Sequence, residues 1–545
     1  MPNALHKVIS ISYILSVIMS FSGLQSAFGA EVPSGTKLAK KQILNRGNGA
    51  ETPTIDPQKV EDVQGNNITQ DLFEGLVRDN TDGIIVPAGA TSWESSKDGL
   101  TYTFHLRKNA KWSNGDPITA HDYVYGFQRL VDPKVASTYS FLISDFKNAD
   151  AINQGKEPLN TLGVVALNNE TLQIKLNNPV PYILDILSMR NCSPAHKKMM
   201  EKYGDKFYQV GNIVSNGPYM LKYWKIGDKL TLEKNSNYWD AKKTVIQEVN
   251  FYPTQNLNTE QQMFLTNQLD ITNDISMDQF EKLKSQLGSE VQSNPYLSSY
   301  WFSFNLEKPP FKDNLKLRQA LSMVIDRNII TKDITRRGEF PSYDLVAKGA
   351  KNYKQFTYNW SKDEYKMRVE KAKKLYEEAG YSALKPLKVN ILYNTNDNSK
   401  KLVLSIASMW KQALGVNATL ENQEWKVFLK SRQNGEFQVA WDRWIADYND
   451  VNSFSDLLRS GSQMNNAKYK NTNYDTLLKK ASMEVDLKKR QKILEQASSV
   501  LMNDYPILPL YSAVTTHLVK KYVGGYSGKN PLDHTSTFDL YIKEH

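Results

Sequence analysis

The sequence predicts an α/β protein of more than one lobe. Two observations carry this. The chain has 545 residues, too many for one ordinary domain of roughly 100–200 residues. Residues 361–450 alternate between strand-period and helix-period patterns in the order β-α-β-α-β. Such a run predicts a parallel sheet with right-handed crossovers.

The elements of that run follow from local chemistry. Ser361, with Glu364 three residues on, has the form of a capping box, and Gly380 closes the helix. Between them Val369, Ala372, Tyr376 and Ala379 form one apolar stripe. Leu387, Val389, Ile391 and Tyr393 alternate as a strand. A helix from about Lys401 to Leu414 stops at Gly415, and Val416, Ala418 and Leu420 alternate again. A further helix from about Glu424 ends at Asn434-Gly435, before a strand around Phe437 to Trp441. Ligands of such sheets bind beyond the carboxyl ends of strands. Trp444-Ile445-Ala446-Asp447-Tyr448 sits just beyond one. Upstream, residues 101–106 place Tyr102, Phe104 and Leu106 on one strand face. Trp112 to Pro117 is dense turn chemistry, and Thr119-Ala120-His121-Asp122 opens a helix. No internal repeat or low-complexity linker marks a lobe boundary.

Composition narrows the function classes. Apolar residues make up 40% and charged residues 23%, an ordinary soluble balance that excludes disorder and multi-span membrane proteins. The net charge of +10 is spread along the chain without a basic stripe, which predicts no nucleic-acid partner. A single cysteine, Cys192, allows no intramolecular disulfide and no thiolate cluster. The 29 Tyr and 10 Trp are in part core; such rings also suit a surface that grips varied ligands.

Residues 1–29 form a secretory signal. Lys7 is their sole Lys or Arg, an apolar run extends from Val8 to about Leu24, and Ala27-Phe28-Gly29 precedes Ala30. Cleavage after Gly29 puts small residues at the last and third-last positions. Ser10, Ser12, Ser16, Ser20, Ser22 and Gly23 make the run a poor membrane span. No cysteine adjoins the cut for lipid attachment. The expectation is an exported, soluble chain.

Catalytic motifs are absent. His105, His121, His196, His517, His534 and His545 show no metal-ligand spacing, and Pro194 separates Cys192 from His196. There is no G-x-S-x-G elbow and no phosphate loop. A glycosidase-like carboxylate pair stays open, though nothing singles one out. No cofactor and no metal are expected. Trp441, Trp444, Asp447 and Tyr448 crowd eight residues at a predicted sheet edge. One interpretation is a core Trp pair with a turn-forming Asp. The other is a carboxylate in an aromatic-walled cleft, suited to an ammonium group.

A series of segments then carries a resemblance. They are Asp56-Pro57 with Glu61, Asp71-Leu72-Phe73-Glu74-Gly75-Leu76, Phe104-His105-Leu106-Arg107-Lys108 and Ala110-Lys111-Trp112-Ser113. Gly211-Asn212-Ile213-Val214, Lys308-Pro309-Pro310-Phe311 and Asn422-Gln423-Glu424-Trp425-Lys426 follow. Ala446-Asp447-Tyr448-Asn449, Val523-Gly524-Gly525-Tyr526 and Pro531-Leu532-Asp533 complete the series. In this order, from Glu31-Val32-Pro33 to the last residues, the chain resembles the periplasmic oligopeptide-binding proteins of Gram-negative ABC importers, family 5 of the extracellular solute-binding proteins.

The resemblance implies a two-lobed, three-domain α/β periplasmic binding protein fold with a hinged ligand cleft. Residues 1–29 would be the signal peptide. One lobe would comprise 30–73, 198–297 and 515–545, with an insert at 74–197; the second lobe would comprise 298–514. It implies a periplasmic, monomeric receptor, not an enzyme, that captures an oligopeptide and delivers it to the membrane permease of an ABC importer. The peptide backbone would pair with Glu61, Asp62 and Val63 and with Trp441 to Ile445. Asp447 would hold the amino group, Trp425 and Trp444 would wall side-chain pockets, and Tyr139 and Trp301 match lining positions.

Two departures from the family stand out. Relatives carry a disulfide across positions matching Ser298 and Ile445, and both cysteines are absent here. Basic residues that receive the peptide carboxylate in relatives match Thr335, Ser399 and Trp441. The neighbouring cations are Arg336, Arg337, Lys400 and Arg443, and Arg443 shares the face of Trp441 if the strand continues. Murein peptide, haem or another nonpeptide cargo are alternatives within the class. An exported hydrolase, or a holdase or adhesion protein using the same cleft, are alternatives outside it.

Overall fold

The computed structural model describes residues 29–545. Apart from Gly29, the signal-peptide expectation lies outside the described residues. Three mixed α/β units build two lobes.

A six-stranded sheet organises the second lobe. Its order is Phe340–Pro341, Ile507–Leu518, Val291–Phe304, Val439–Ile445, Lys388–Asn394 and Asn417–Gln423. The last three are mutually parallel, as the alternation predicts, and helices Asp397–Leu414 and Trp425–Gln433 connect them. The sheet as a whole is mixed, however. Val439–Ile445 pairs antiparallel with Val291–Phe304, which pairs antiparallel with Ile507–Leu518. Both faces are covered: Ile391 packs in one core with Trp410, and Leu392 packs in another with Phe428. Burial on both sides suits a parallel segment.

Local chemistry moves several boundaries. Ser361 is not a helix cap. It sits in the 3-10 turn Asn359–Lys362 and donates its hydroxyl to the Tyr358 carbonyl at 2.6 Å. The helix runs Tyr365–Glu378 with Glu364 at its N-cap, and Gly380 (φ +93°) ends it. The next helix starts at Asp397 because Asn396 caps it, accepting from the Ser399 N–H at 3.0 Å. The strand expected to end near Trp441 continues to Ile445, drawn on by its antiparallel neighbour. Ser298 and Ile445 face one another in that ladder.

The first lobe holds a four-stranded sheet in the order Ile43–Gly47, Glu248–Tyr252, Lys229–Lys234, Tyr219–Lys225. Leu44, Tyr219, Leu232 and Phe251 fill its core, and Leu540 and Ile542 return to it from the end of the chain. Between its segments lies a second four-stranded, antiparallel sheet: Ala90–Ser95, Thr101–Leu106, Thr171–Lys175, Val164–Asn168. Phe104 and Leu106 point into its core, as the alternation predicts, against helix Ala120–Val131. That helix has a capping box between Thr119 and Asp122.

Two long strands tie the lobes together. Leu518 packs with Phe264, Phe280 and Leu283 on the first-lobe side. On the same strand Leu508, Leu510 and Tyr511 belong to the second-lobe core. Its neighbour Val291–Phe304 makes the same passage, from Val291 beside the first of these cores to Phe302 in the other. The register between the two strands shifts between Pro295 and Ser299. In the second lobe Arg327 is 1% exposed. Its guanidinium donates to the carbonyls of Ser342, Pro509, Ser322 and Ile325 and lies over the ring of Tyr343. No described helix is long and apolar enough to cross a membrane.

Candidate functional site

A cavity of about 470 Å³ opens between the lobes, within the usual range of ligand pockets, about 300–1,000 Å³. Val63 and Gln64 of the first lobe line it, facing Ser399, Trp425, Trp441, Arg443 and Ile445 of the second. Strand parity selects these residues. Successive side chains of a strand point to opposite faces, so Trp441, Arg443 and Ile445 share the cavity face. Asp442 and Trp444 take the other face. Asp442 pairs with Arg432 and accepts from Ser303 Oγ at 2.7 Å. Trp444 donates its indole N–H to Ser453 Oγ at 3.3 Å.

The same rule removes Trp301 from the cavity wall. It stands opposite Asp442 in the ladder, donates its indole N–H to Ser303 Oγ at 3.0 Å and is 4% exposed. Its place is the second-lobe core with Leu297 and Leu345. Trp425, by contrast, is 52% exposed and stacks on Phe428 one turn along its helix, with ring centroids 5.8 Å apart.

The backbone of the Trp441–Ile445 segment is open on one side. Lys388–Asn394 pairs with the strand only at Val439 and Ala440. Beyond Ala440, among the described residues, that edge has no strand partner, while Val291–Phe304 holds the other edge through to Ile445. An unpaired edge of this kind is a template for an added strand.

Asp447 lies two residues past the strand end. Its N–H donates to Ser453 Oγ at 3.0 Å, and its carboxylate accepts the Tyr139 hydroxyl at 3.3 Å. Burial pushes its pKa up to about 6, opposed by the Tyr139 hydrogen bond. Among the described residues no cation pairs with it. The next residue, Tyr448, stacks on Tyr182 with centroids 5.3 Å apart and planes 6° from parallel. Tyr448 is buried in the core of the inserted unit, so residues 447–448 reach across the cleft.

The Glu61–Val63 segment is the start of a helix rather than a strand. Asp62 is extended (φ −113°, ψ 154°) and caps helix Val63–Leu72 by accepting from the Gly65 N–H. Val63, 45% exposed, is the first helical residue, so its N–H has no intrahelical acceptor. Glu61 accepts the Thr138 hydroxyl at 2.8 Å.

Charges around the cavity are mostly compensated. Arg337 pairs with Glu339 at 3.0 Å and with Asp274 at 3.7 Å. His517 pairs with Asp533 at 3.0 Å and bonds the Thr272 carbonyl at 2.9 Å. Desolvation lowers the His517 pKa, but the Asp533 carboxylate outweighs it and raises the pKa to about 9. Arg336 donates to the Asp333 carbonyl on the exposed surface. Thr335 is fully buried and donates to Glu339 at 2.7 Å. Arg443 differs: it is exposed, lies over the Tyr300 ring at 5.1 Å and donates to Ser298 Oγ at 3.3 Å. Asp274, Tyr300, Arg337, Tyr511 and His517 also line the cavity. Each comes from a distant segment; of these only Arg337 stands out in the sequence, as a neighbouring cation, and no local pattern marks the others.

Comparison with known proteins adds the lineage. The profile of the bacterial extracellular solute-binding proteins, family 5 Middle, matches residues 85–466. The periplasmic oligopeptide-binding protein OppA of Salmonella typhimurium is 42% identical over 548 residues, covering 100% of both chains. The crystal structure of Haemophilus influenzae OppA in complex with RPPGFSPFR superposes with a TM-score of 0.80 at 40% identity, covering 93% of this chain and 100% of that one. The murein tripeptide binding protein MppA of Escherichia coli superposes at 0.82 with 37% identity, covering 94% and 100%.

Proposed function

The chain belongs to the bacterial extracellular solute-binding proteins of family 5, and from that membership we propose that it captures oligopeptides between its lobes and delivers them to the membrane permease of an ABC importer. The observation that carries the proposal is a strand edge left open from Trp441 to Ile445 and followed by Asp447. A peptide added to that edge is held through its backbone, whatever its side chains. Its terminal ammonium then meets a partly buried carboxylate that has no cation of its own. An unpaired buried charge is costly, and a charge-assisted hydrogen bond removes the cost. Trp425, half exposed at the cavity, offers apolar surface to side chains.

On this proposal the protein is a binding protein, not an enzyme. It is exported after cleavage behind Gly29 and works as a monomer in the periplasm. Its first lobe comprises 30–73, 198–297 and 515–545, its insert 74–197 and its second lobe 298–514. The relatives named for oligopeptide binding support the cargo class.

Calorimetry with free and amino-acetylated peptides is the test, on wild type and Asp447→Asn. Acetylation and the substitution are each expected to cost about 2–5 kcal/mol, with little added by combining them. Unchanged affinity in both arms would overturn the proposal.

A further inference from the structure

The lobes also meet away from the cavity, through Tyr182. This residue of the inserted unit precedes helix Ile183–Leu187 and is buried. Two side chains of the second lobe hold its ring. Tyr448 stacks on it, and the Arg490 guanidinium lies over it, 5.2 Å from the centroid. Both are fixed within their own lobe. Arg490 stands on helix Leu487–Asp504 and donates to both carboxylate oxygens of Asp450 at 2.7 Å. Asn452 donates to the Tyr448 hydroxyl at 3.3 Å. On the insert helix that follows Tyr182, Asp185 pairs with Lys351 of the second lobe at 3.9 Å.

Tyr182, Tyr448, Arg490 and Lys351 do not line the cavity, so they bear on cargo only indirectly. The route is short. Tyr448 is the residue after Asp447, and the α-carbons of chain neighbours are about 3.8 Å apart. The Asp447 N–H is tied to Ser453 of its own lobe, while the insert grips the ring one residue on. The carboxylate thus hangs from a segment anchored on both sides of the cleft. When Tyr182 withdraws, Asp447 loses one of these two anchors.

We infer that Tyr182 is a positioning residue for peptide capture: it docks beside Tyr448 and Arg490 as the lobes shut, and so aims the Asp447 carboxylate at the peptide ammonium without touching the cargo. The inference rests on the capture function proposed above. Ring stacking and the attraction of a cation to a ring face both need an aromatic side chain. Phenylalanine therefore serves in place of Tyr182, and leucine does not.

The readout is the preference for free over amino-acetylated trialanine. It is titrated at pH 8, where Asp447 and Asp185, each with its pKa raised to about 6, are ionised. Tyr182→Leu is expected to bind the free peptide about tenfold more weakly than wild type does, and the acetylated peptide nearly as well. Tyr182→Phe should match wild type. Tyr448→Leu should repeat the loss, and the double variant should add little to it. Lys351→Glu repels Asp185 from the exposed surface, leaves both cores intact and should shift the preference the same way. It decides the matter where a leucine variant does not fold. An equal loss for both peptides in Tyr182→Leu marks a merely structural contact and overturns the inference. A preference unchanged in every variant that folds also overturns it, and leaves peptide capture standing. Wild type without any preference for the free amine removes the capture proposal, and the inference with it.

Discussion

Tyr139 and Asp447 meet across the cleft, the phenol donating to the carboxylate at 3.3 Å. The inserted unit brings the donor and the second lobe brings the acid. Burial weakens the acidity of this carboxylate, and the hydrogen bond from the other unit opposes that shift, so the two units are coupled through its charge.

That coupling sets a pH dependence. With its pKa raised to about 6, unliganded Asp447 takes up a proton as pH falls through that value, and a protonated acid does not hold an ammonium. Peptide affinity is expected to be flat above about pH 7 and to fall roughly tenfold per unit below about 6. Asp447→Asn should flatten the profile. Tyr139→Phe removes the bond that favours the ionised form, so its midpoint should lie higher than that of wild type. Calorimetric titrations across this range decide it; a wild-type profile without a slope would contradict the assignment.

His517 makes a prediction about stability. Its pKa is raised from 6.5 to about 9 by Asp533. A base held above its unfolded value stabilises the fold fully below about pH 6.5 and loses that contribution as pH rises through 9. The contribution is about 3 kcal/mol at most. Urea unfolding should therefore weaken between pH 6.5 and 9.5, and His517→Gln should be less stable at the low end with a flatter curve. Parallel curves for the two proteins would refute it.

Arg327 tests the second-lobe core. Burial lowers its pKa to about 10, and its donors satisfy four main-chain carbonyls. Arg327→Met leaves those acceptors dry, at about 1–3 kcal/mol for each one that water cannot reach. A loss of roughly 3–5 kcal/mol is expected in denaturant unfolding, with no change in peptide affinity once folded. A loss under 1 kcal/mol would mean that the carbonyls find other donors.

Much of the second lobe was legible in the sequence because its strand-helix alternation is local. Val389, Ile391 and Tyr393 face one core, and Gly380 and Gly415 stop helices at positive φ. The mixed character of the sheet was not legible. Its antiparallel members, residues 291–304 and 507–518, are separated from the parallel run by long stretches of chain. Ser361 misled because a hydroxyl three residues before a glutamate also satisfies a 3-10 turn.

The place of Arg443 on the cavity face was legible through strand parity with Trp441, and the place of Asp447 just beyond a strand end through the local alternation. Trp301 was not, since its face depends on register with residue 442. The open edge was also hidden: it exists because Lys388–Asn394 stops pairing after Ala440, which no side-chain pattern records.

The two strands that pass between the lobes, 291–304 and 507–518, lie side by side. A ribbon of two hydrogen-bonded strands bends easily across its width and resists shear, and the irregularity between Pro295 and Ser299 is a natural place for the bend. Such a joint has in effect one coordinate, an angle. Any cargo that draws the lobes together ends at much the same value of it. On the function proposed above, an occupied and an empty protein would then differ at their outer faces by that one angle, whatever the cargo.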